Sequence, residues 1–479
     1  MDTIHTSALR LSRGDQRIGA LISQAQQAVT RLNPQFRALS HLVDDAGATI
    51  STLQQELDAG LPRSALHGLA VTIKGNIPVH GLPWTEGSAV YGDRVAKTDG
   101  DIVARVRRAG GVVLGTTTLS ELAMYAVENA FEPMGLNPWD VERTAGGSST
   151  GAGVATALGM AQLSIGTDSG GSVRNPACHC GVVGFMPRIG GLSLLGQASP
   201  TQNPTPSLTS VGVLTRSVDD AELAWAALAE APGSRVDAPA RRLLVPRRLI
   251  ETACDEATLA LFDAACGRLR AAGFALIDGE IEGWIEGEQA AGVASLAECA
   301  QALASMDLTH AGEAIRDRAR LGAQLSPSVI DQARQARSAL RSSIVSTLAA
   351  TATGAVLTPT WPFPAPLIHA QTVEIQGRSV RMDPLRSRFV RAANAIAGCA
   401  ITLPMGLYPR SSVPGGLHLT APAGQERLLL ALARCAESAL PALPPAPPSG
   451  IQEKGSSTDC SPAAPDRAAT AAPPRPTAQ

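Results

Sequence analysis

Apolar residues recur at helical spacing from Ile18 through Ile22 and Ala25 to Val29, and again at Leu53 and Leu57. The pattern predicts helix across 15–60, ended by Pro62. The period then changes. Residues 69–73 (Leu-Ala-Val-Thr-Ile) form the kind of short run that suits a buried strand, and it stops at Lys74-Gly75-Asn76. A second pair, helix at 102–108 and strand at 111–114, repeats the alternation. Helix alternating with strand predicts an α/β layered fold.

From Gly146 to Gly191 the chain is dense in Gly, Ser and Thr, with short apolar runs at 163–165 and 181–185. A flexible linker would lack those runs, so this stretch reads as tight turns within a core. Residues 236–350 are rich in Ala and Arg and read as mostly helical. Strand candidates return at 355–358, 400–403 and 416–420, and a last helix is expected at 425–440. Residues 1–440 therefore read as one domain. Pro, Ala, Ser and Thr dominate 441–479, which predicts a disordered tail. No internal repeat is visible.

The chain has 479 residues, 44% of them hydrophobic, enough for a large core. Its net charge of -2 argues against a nucleic-acid partner. No run approaches the roughly 18 apolar residues of a membrane span, and the N-terminus lacks a basic region followed by an apolar core. A cytoplasmic protein without a membrane association is expected. The 8 cysteines show no CxxC pair. Cys178-His179-Cys180 has no second ligand pair at zinc spacing, so no metal is expected there. Lysine occurs only at positions 74, 97 and 454. Arg cannot give up its proton at working pH and Lys can, so each lysine is a candidate base.

Three segments carry chemistry: 71–77 around Lys74, 144–151 around Ser148, and 166–177 around Ser172. Ser172 follows two glycines, and such a turn lets consecutive backbone N–H groups from Ser169 onward face one concavity. That nest suits the oxygen that turns negative when an acyl carbonyl is attacked. A structural glycine turn is the plainer alternative; a Walker phosphate loop would need Gly-Lys-Ser/Thr, which is absent here. A serine needs a base to become a nucleophile. His179 is near in sequence but has no adjacent carboxylate pattern. Lys74, just past an apolar strand, is the other candidate, against the plainer reading of a surface lysine in a turn.

Gly146-Gly-Ser-Ser149 followed by Gly166-Thr-Asp-x-Gly-Gly-Ser-Val-Arg174, together with the segment around Lys74, closely resembles the amidase signature family. The likeness extends through Asn137-Pro-Trp-Asp140, Cys180-Gly-Val-Val-Gly184 and 207–216, and weakens toward Thr358-Pro-Thr360 and Leu403-Pro-x-Gly406, covering roughly 15–440. It implies a mixed central β-sheet flanked by helices on both faces. It implies a catalytic core at about 65–220, a substrate-selecting helical region at about 236–350, and no cofactor. By the same resemblance Ser172 is the acyl-forming nucleophile, Ser148 a bridging serine after a cis peptide bond, and Lys74 the terminal base. The backbones of Ser169, Gly170 and Gly171 match the oxyanion hole. Asp168 and Arg174 match positions that hold the loop. Leu122 and Tyr125 fall where relatives place pocket residues, although Leu122 also reads as ordinary core.

Four differences from the family stand out: Gly75 where Asp is frequent, Thr150 where Gly is usual, and Met186 and Arg188 where Lys and Thr are usual. The activity implied is hydrolysis of a small-molecule carboxylic amide, with a homodimer left open. The competing readings are an amidotransferase subunit that supplies ammonia to a partner on charged tRNA, a scaffold on a dead enzyme fold, and a classical α/β-hydrolase that needs a His.

Overall fold

The computed structural model describes residues 2–124, 129, 131–193 and 205–446. Among the described residues, β1 (Leu39–Leu42), β2 (Ala70–Lys74), β3 (Val112–Thr117), β4 (Leu163–Asp168), β5 (Val183–Met186), β6 (Ser210–Thr215), β7 (Arg242–Val245), β8 (Ala275–Asp278) and β9 (Ala355–Pro359) share one sheet. After a separate hairpin of β10 (Thr372–Ile375) and β11 (Arg378–Arg381), β12 (Cys399–Leu407) and β13 (Pro414–Ala421) join the same sheet. The spatial order is β1-β3-β2-β4-β6-β5-β12-β13-β9-β7-β8. Parallel pairs occur at β3-β2-β4 and at β9-β7-β8, and the remaining neighbours are antiparallel. The fold is thus α/β, with a large mixed sheet flanked by helices.

β2 and β4 are buried along their whole lengths, which explains their apolar runs. Their parallel register, Val71 opposite Leu163 and Ile73 opposite Ile165, brings the end of β2 beside the end of β4. Lys74 and Thr167 therefore become neighbours although 93 residues separate them. The helix Ile18–Phe36 buries Ile18, Leu21, Ile22, Ala25, Val29, Leu32 and Phe36, the face that the sequence spacing predicts.

Two expectations need correction. The region 15–60 is interrupted: the Ile18–Phe36 helix ends at left-handed Arg37, and β1 follows before a second helix, Gly47–Asp58. β1 has four residues and pairs antiparallel with β3, a partner some seventy residues away, so local periodicity carries no trace of it. Region 236–350 likewise contains β7 and β8, which extend the sheet beyond β9. Most of the tail expected to be disordered, 447–479, lies outside the described residues. Among the described residues no helix is long and apolar enough to cross a membrane.

The largest fully buried side chains include Trp225 and Phe36, but also Arg174 and Lys74. A buried cation is costly unless it is paired or loses its proton. The two cations meet that requirement in different ways.

Candidate active site

Arg174 is paired. Its Nε donates to Asp168 Oδ2 at 3.0 Å and its Nη2 to Asp168 Oδ1 at 2.9 Å, a bidentate contact with both side chains fully buried. Its other protons go to Val390 O (2.6 Å), His418 Nε2 (2.9 Å) and Asn394 Oδ1 (2.6 Å), so all five donors have acceptors. Burial and the adjacent guanidinium hold His418 well below its usual range, which keeps Nε2 free to accept. Asp168 also accepts from the Gly171 and Val173 N–H groups at 2.7 and 3.0 Å. Despite burial, the Arg174 charge and these hydrogen bonds hold the Asp168 carboxyl far below the usual range. The network wraps the loop that carries Ser172.

Lys74 takes the other course. At the end of β2, its Nζ donates to Ser148 Oγ at 2.7 Å, Thr167 Oγ1 at 2.9 Å and Thr167 O at 3.3 Å. All three acceptors are uncharged. Burial pulls its pKa down from the ordinary 10.5 to about 7, with the Asp168 charge opposing. Asn76 Nδ2 donates to the same Thr167 Oγ1 at 3.2 Å. Thr167 and Asn76 were not singled out for Lys74 from the sequence, although both lie in the quoted motifs.

The Gly147–Ser148 peptide is cis, as the resemblance implies. Ser149 N donates to Ser172 O at 3.0 Å, which ties the two serine loops together. Ser148 and Ser172 line one cavity of about 100 Å³ without a hydrogen bond between their hydroxyls. Gly171 has φ 110°, and a Cβ there would stand 2.5 Å from Val390 Cγ2, so no side chain fits. Because its N–H is held by Asp168 Oδ1, Gly171 differs from Ser169 and Gly170, which line the cavity.

Leu122 is placed differently from expectation. Leu122 and Ala123 both adopt left-handed φ, 51° and 54°, and Leu122 is fully buried in an apolar cluster with Met124, Cys299, Leu303 and Ile315. The cavity wall here is formed by Ala123 and Met124, not by Leu122. Tyr125 lies outside the described residues.

His179 is buried edge-on against Trp361, with ring centroids 4.8 Å apart, and burial pulls it down to about 3. It hydrogen-bonds neither to a carboxylate nor to Ser172. Among the described residues no three His, Cys, Asp or Glu side chains gather as a metal-ligand set.

The family differences have local explanations. A Cβ at Gly75 would stand 2.9 Å from Leu119 Cδ2 and 3.0 Å from Thr117 O, so Leu119 occupies the space a larger residue would use. Thr150 Oγ1 donates to Gly146 O at 2.8 Å, which satisfies the buried hydroxyl. Met186 Sδ lies 3.2 Å from Asn394 Nδ2, and Arg188 pairs with Glu426 at 3.2 Å. Arg318, Arg386 and Arg391 also line the cavity, and sequence reasoning missed all three.

The mixed sheet thus brings a buried lysine to Ser148, which lines one cavity with Ser172. The family model described as Amidase matches residues 20–430, and the chain belongs to that family, whose members are hydrolases acting on C–N bonds. It is 32% identical over 456 residues to a 2-amino-5-chloromuconic acid deaminase from Comamonas testosteroni, covering 90% of this chain and 96% of the relative. It is 34% identical over 228 residues to a glutamyl-tRNA(Gln) amidotransferase subunit from Synechococcus elongatus, covering 47% of this chain and 46% of the relative. The match thus spans about half the length of that subunit. A solved structure described as an amidase superposes with TM-score 0.85 at 27% identity, covering 92% of this chain and all of the other.

Proposed function

We propose that the chain hydrolyses a small carboxylic amide through an acyl intermediate on Ser172. The observation that carries this reading is the buried Lys74 Nζ, with pKa near 7, placed 2.7 Å from Ser148 Oγ at the cavity that Ser172 lines. Neutral Lys74 takes the Ser148 proton while Ser148 takes that of Ser172. Ser172 Oγ bonds to the carbonyl carbon. The C–N bond breaks, and the relay returns the proton to the leaving nitrogen. Water then adds to the acyl carbon, the ester C–O bond breaks, and Ser172 recovers its proton as the acid departs. Hydrogen bonds along such a relay tighten when substrate fills the site, which accounts for the open Ser148–Ser172 link.

The oxyanion would be held by loop N–H groups at Ser169 and Gly170 and by that of Ser172 itself, each worth about 3 kcal/mol in the transition state. Gly171 contributes its backbone conformation. Ammonia is the leaving group favoured by the deaminase relative, whose name describes loss of an amino group. That relative matches over 90% of this chain, against 47% for the amidotransferase subunit, which supports a free-standing amidase over a subunit that feeds ammonia to a partner.

Rapid quenching with a slow anilide substrate, followed by intact mass and peptide mapping, tests the reading. An acyl adduct on the peptide bearing Ser172 is expected; turnover without any adduct there sinks it.

A further inference from the structure

The cavity beside Ser172 is lined, among the described residues, by three arginines and no Asp or Glu. Asp168, nearby, is neutralised by Arg174 with both of its oxygens occupied. Among the described residues, positive charge at the cavity therefore exceeds what the neighbouring carboxylates balance.

The individual partners sharpen this. Arg318 Nη2 donates to the neutral Ser295 Oγ at 3.0 Å, and its buried Nε has no hydrogen-bond partner among the described residues. Arg391 Nη1 reaches Glu288 Oε1 at 3.0 Å, but Glu288 also serves Arg388 at 3.7 Å and the Ser387 hydroxyl at 2.9 Å. Arg391 Nε stands 3.2 Å from where a Cβ on Gly170 would lie, so the guanidinium borders the loop that leads to Ser172. Arg386 pairs with Asp383 at 3.4 Å, and Asp383 is half exposed. Arg318 and Arg388 each repel the Arg391 charge. Like charges gathered at one cavity repel one another, so such a cluster favours an anion between its members. Guanidinium forks suit a carboxylate in particular.

We infer that the substrate is an anionic amide whose carboxylate is held by Arg318 and Arg391, with Arg386 adding to the field. This rests on the amidase reading above and names its substrate class. The cavity of about 100 Å³ is well below the several hundred of a drug-sized site, so the carboxylate sits only a few bonds from the scissile carbonyl. The class is the monoamide of a short dicarboxylic acid.

The test compares succinamic and malonamic acids with butyramide and succinamide, neutral amides of similar size, following ammonia release by the full chain. In parallel, calorimetry measures binding of succinate and of its neutral diamide. The acid monoamides should exceed the neutral amides by about 100-fold or more in kcat/KM. Arg318→Gln and Arg391→Gln should remove most of that preference through KM and weaken succinate binding. Arg318→Lys, with charge but no fork, should recover part of it. Equal or better turnover of the neutral amides overturns the carboxylate site while leaving the amidase reading intact. Arginine-dependent succinate binding with no amide turned over upholds the anion site and rejects the amidase reading. Succinate binding that both arginine variants retain in full also overturns the site.

Discussion

Lys74 Nζ donates to Ser148 Oγ at 2.7 Å, while Asp168, whose charge acts on the same amine, is locked in a bidentate pair with Arg174. One buried cation is thus stabilised by an ion pair, and the other is left among neutral acceptors where it can lose its proton.

The first consequence is a pH profile. A base must be neutral to accept a proton, and Lys74 is neutral above about 7. The account predicts that kcat/KM rises about tenfold per pH unit up to near 7 and levels above it. A profile flat from pH 5 to 9 would assign the proton transfer elsewhere.

Stability should carry the same signature with a defined sign. The folded pKa of Lys74 lies below its unfolded value near 10.4, so between pH 7 and 10 the unfolded chain binds more protons and folding strengthens as pH rises. Lys74→Met removes the buried amine. Denaturant melts should find the variant more stable relative to wild type at pH 7, by at most about 4 kcal/mol, with the gap narrowing toward pH 10. A pH-independent gap would mean that Lys74 is not desolvated.

Asp168→Asn leaves Arg174 buried without its counter-charge. Breaking one side of such a pair costs about 3–5 kcal/mol, enough to disorder the Ser172 loop. Chemical unfolding measures it directly, and a loss under 1 kcal/mol would show that the pair does not hold the loop.

Gly171→Ala should cost about 1–3 kcal/mol, from the positive φ and the approach to Val390, and should lower turnover by displacing Ser172. Val390→Ala in the same chain should return part of the stability but not the strain of φ 110°.

Much of the site was legible because its parts are local in sequence. The strand ending at Lys74, the Ser148 turn and the Gly-Gly-Ser172 turn each have a short signature, and parallel pairing of β2 and β4 brings two of them together. The arginines were not legible. Arg386 and Arg391 belong to no motif read from the sequence, and the place of Arg391 at the site shows only once Glu288 and Gly170 are seen beside it. Leu122 read equally as core or pocket, and its left-handed backbone, which no neighbouring residue announces, accompanies its burial in the core. β1, β7 and β8 have four residues each, too few to show a period, and they are held by partners distant in sequence or by one another.

The central claim is that Ser172 attacks the amide carbon, and the turnover of Ser172→Ala on an amide that the wild type hydrolyses tests it most directly. The account predicts a fall of about 10⁴-fold or more in kcat, with the fold and thermal midpoint retained. Turnover equal to wild type would contradict it.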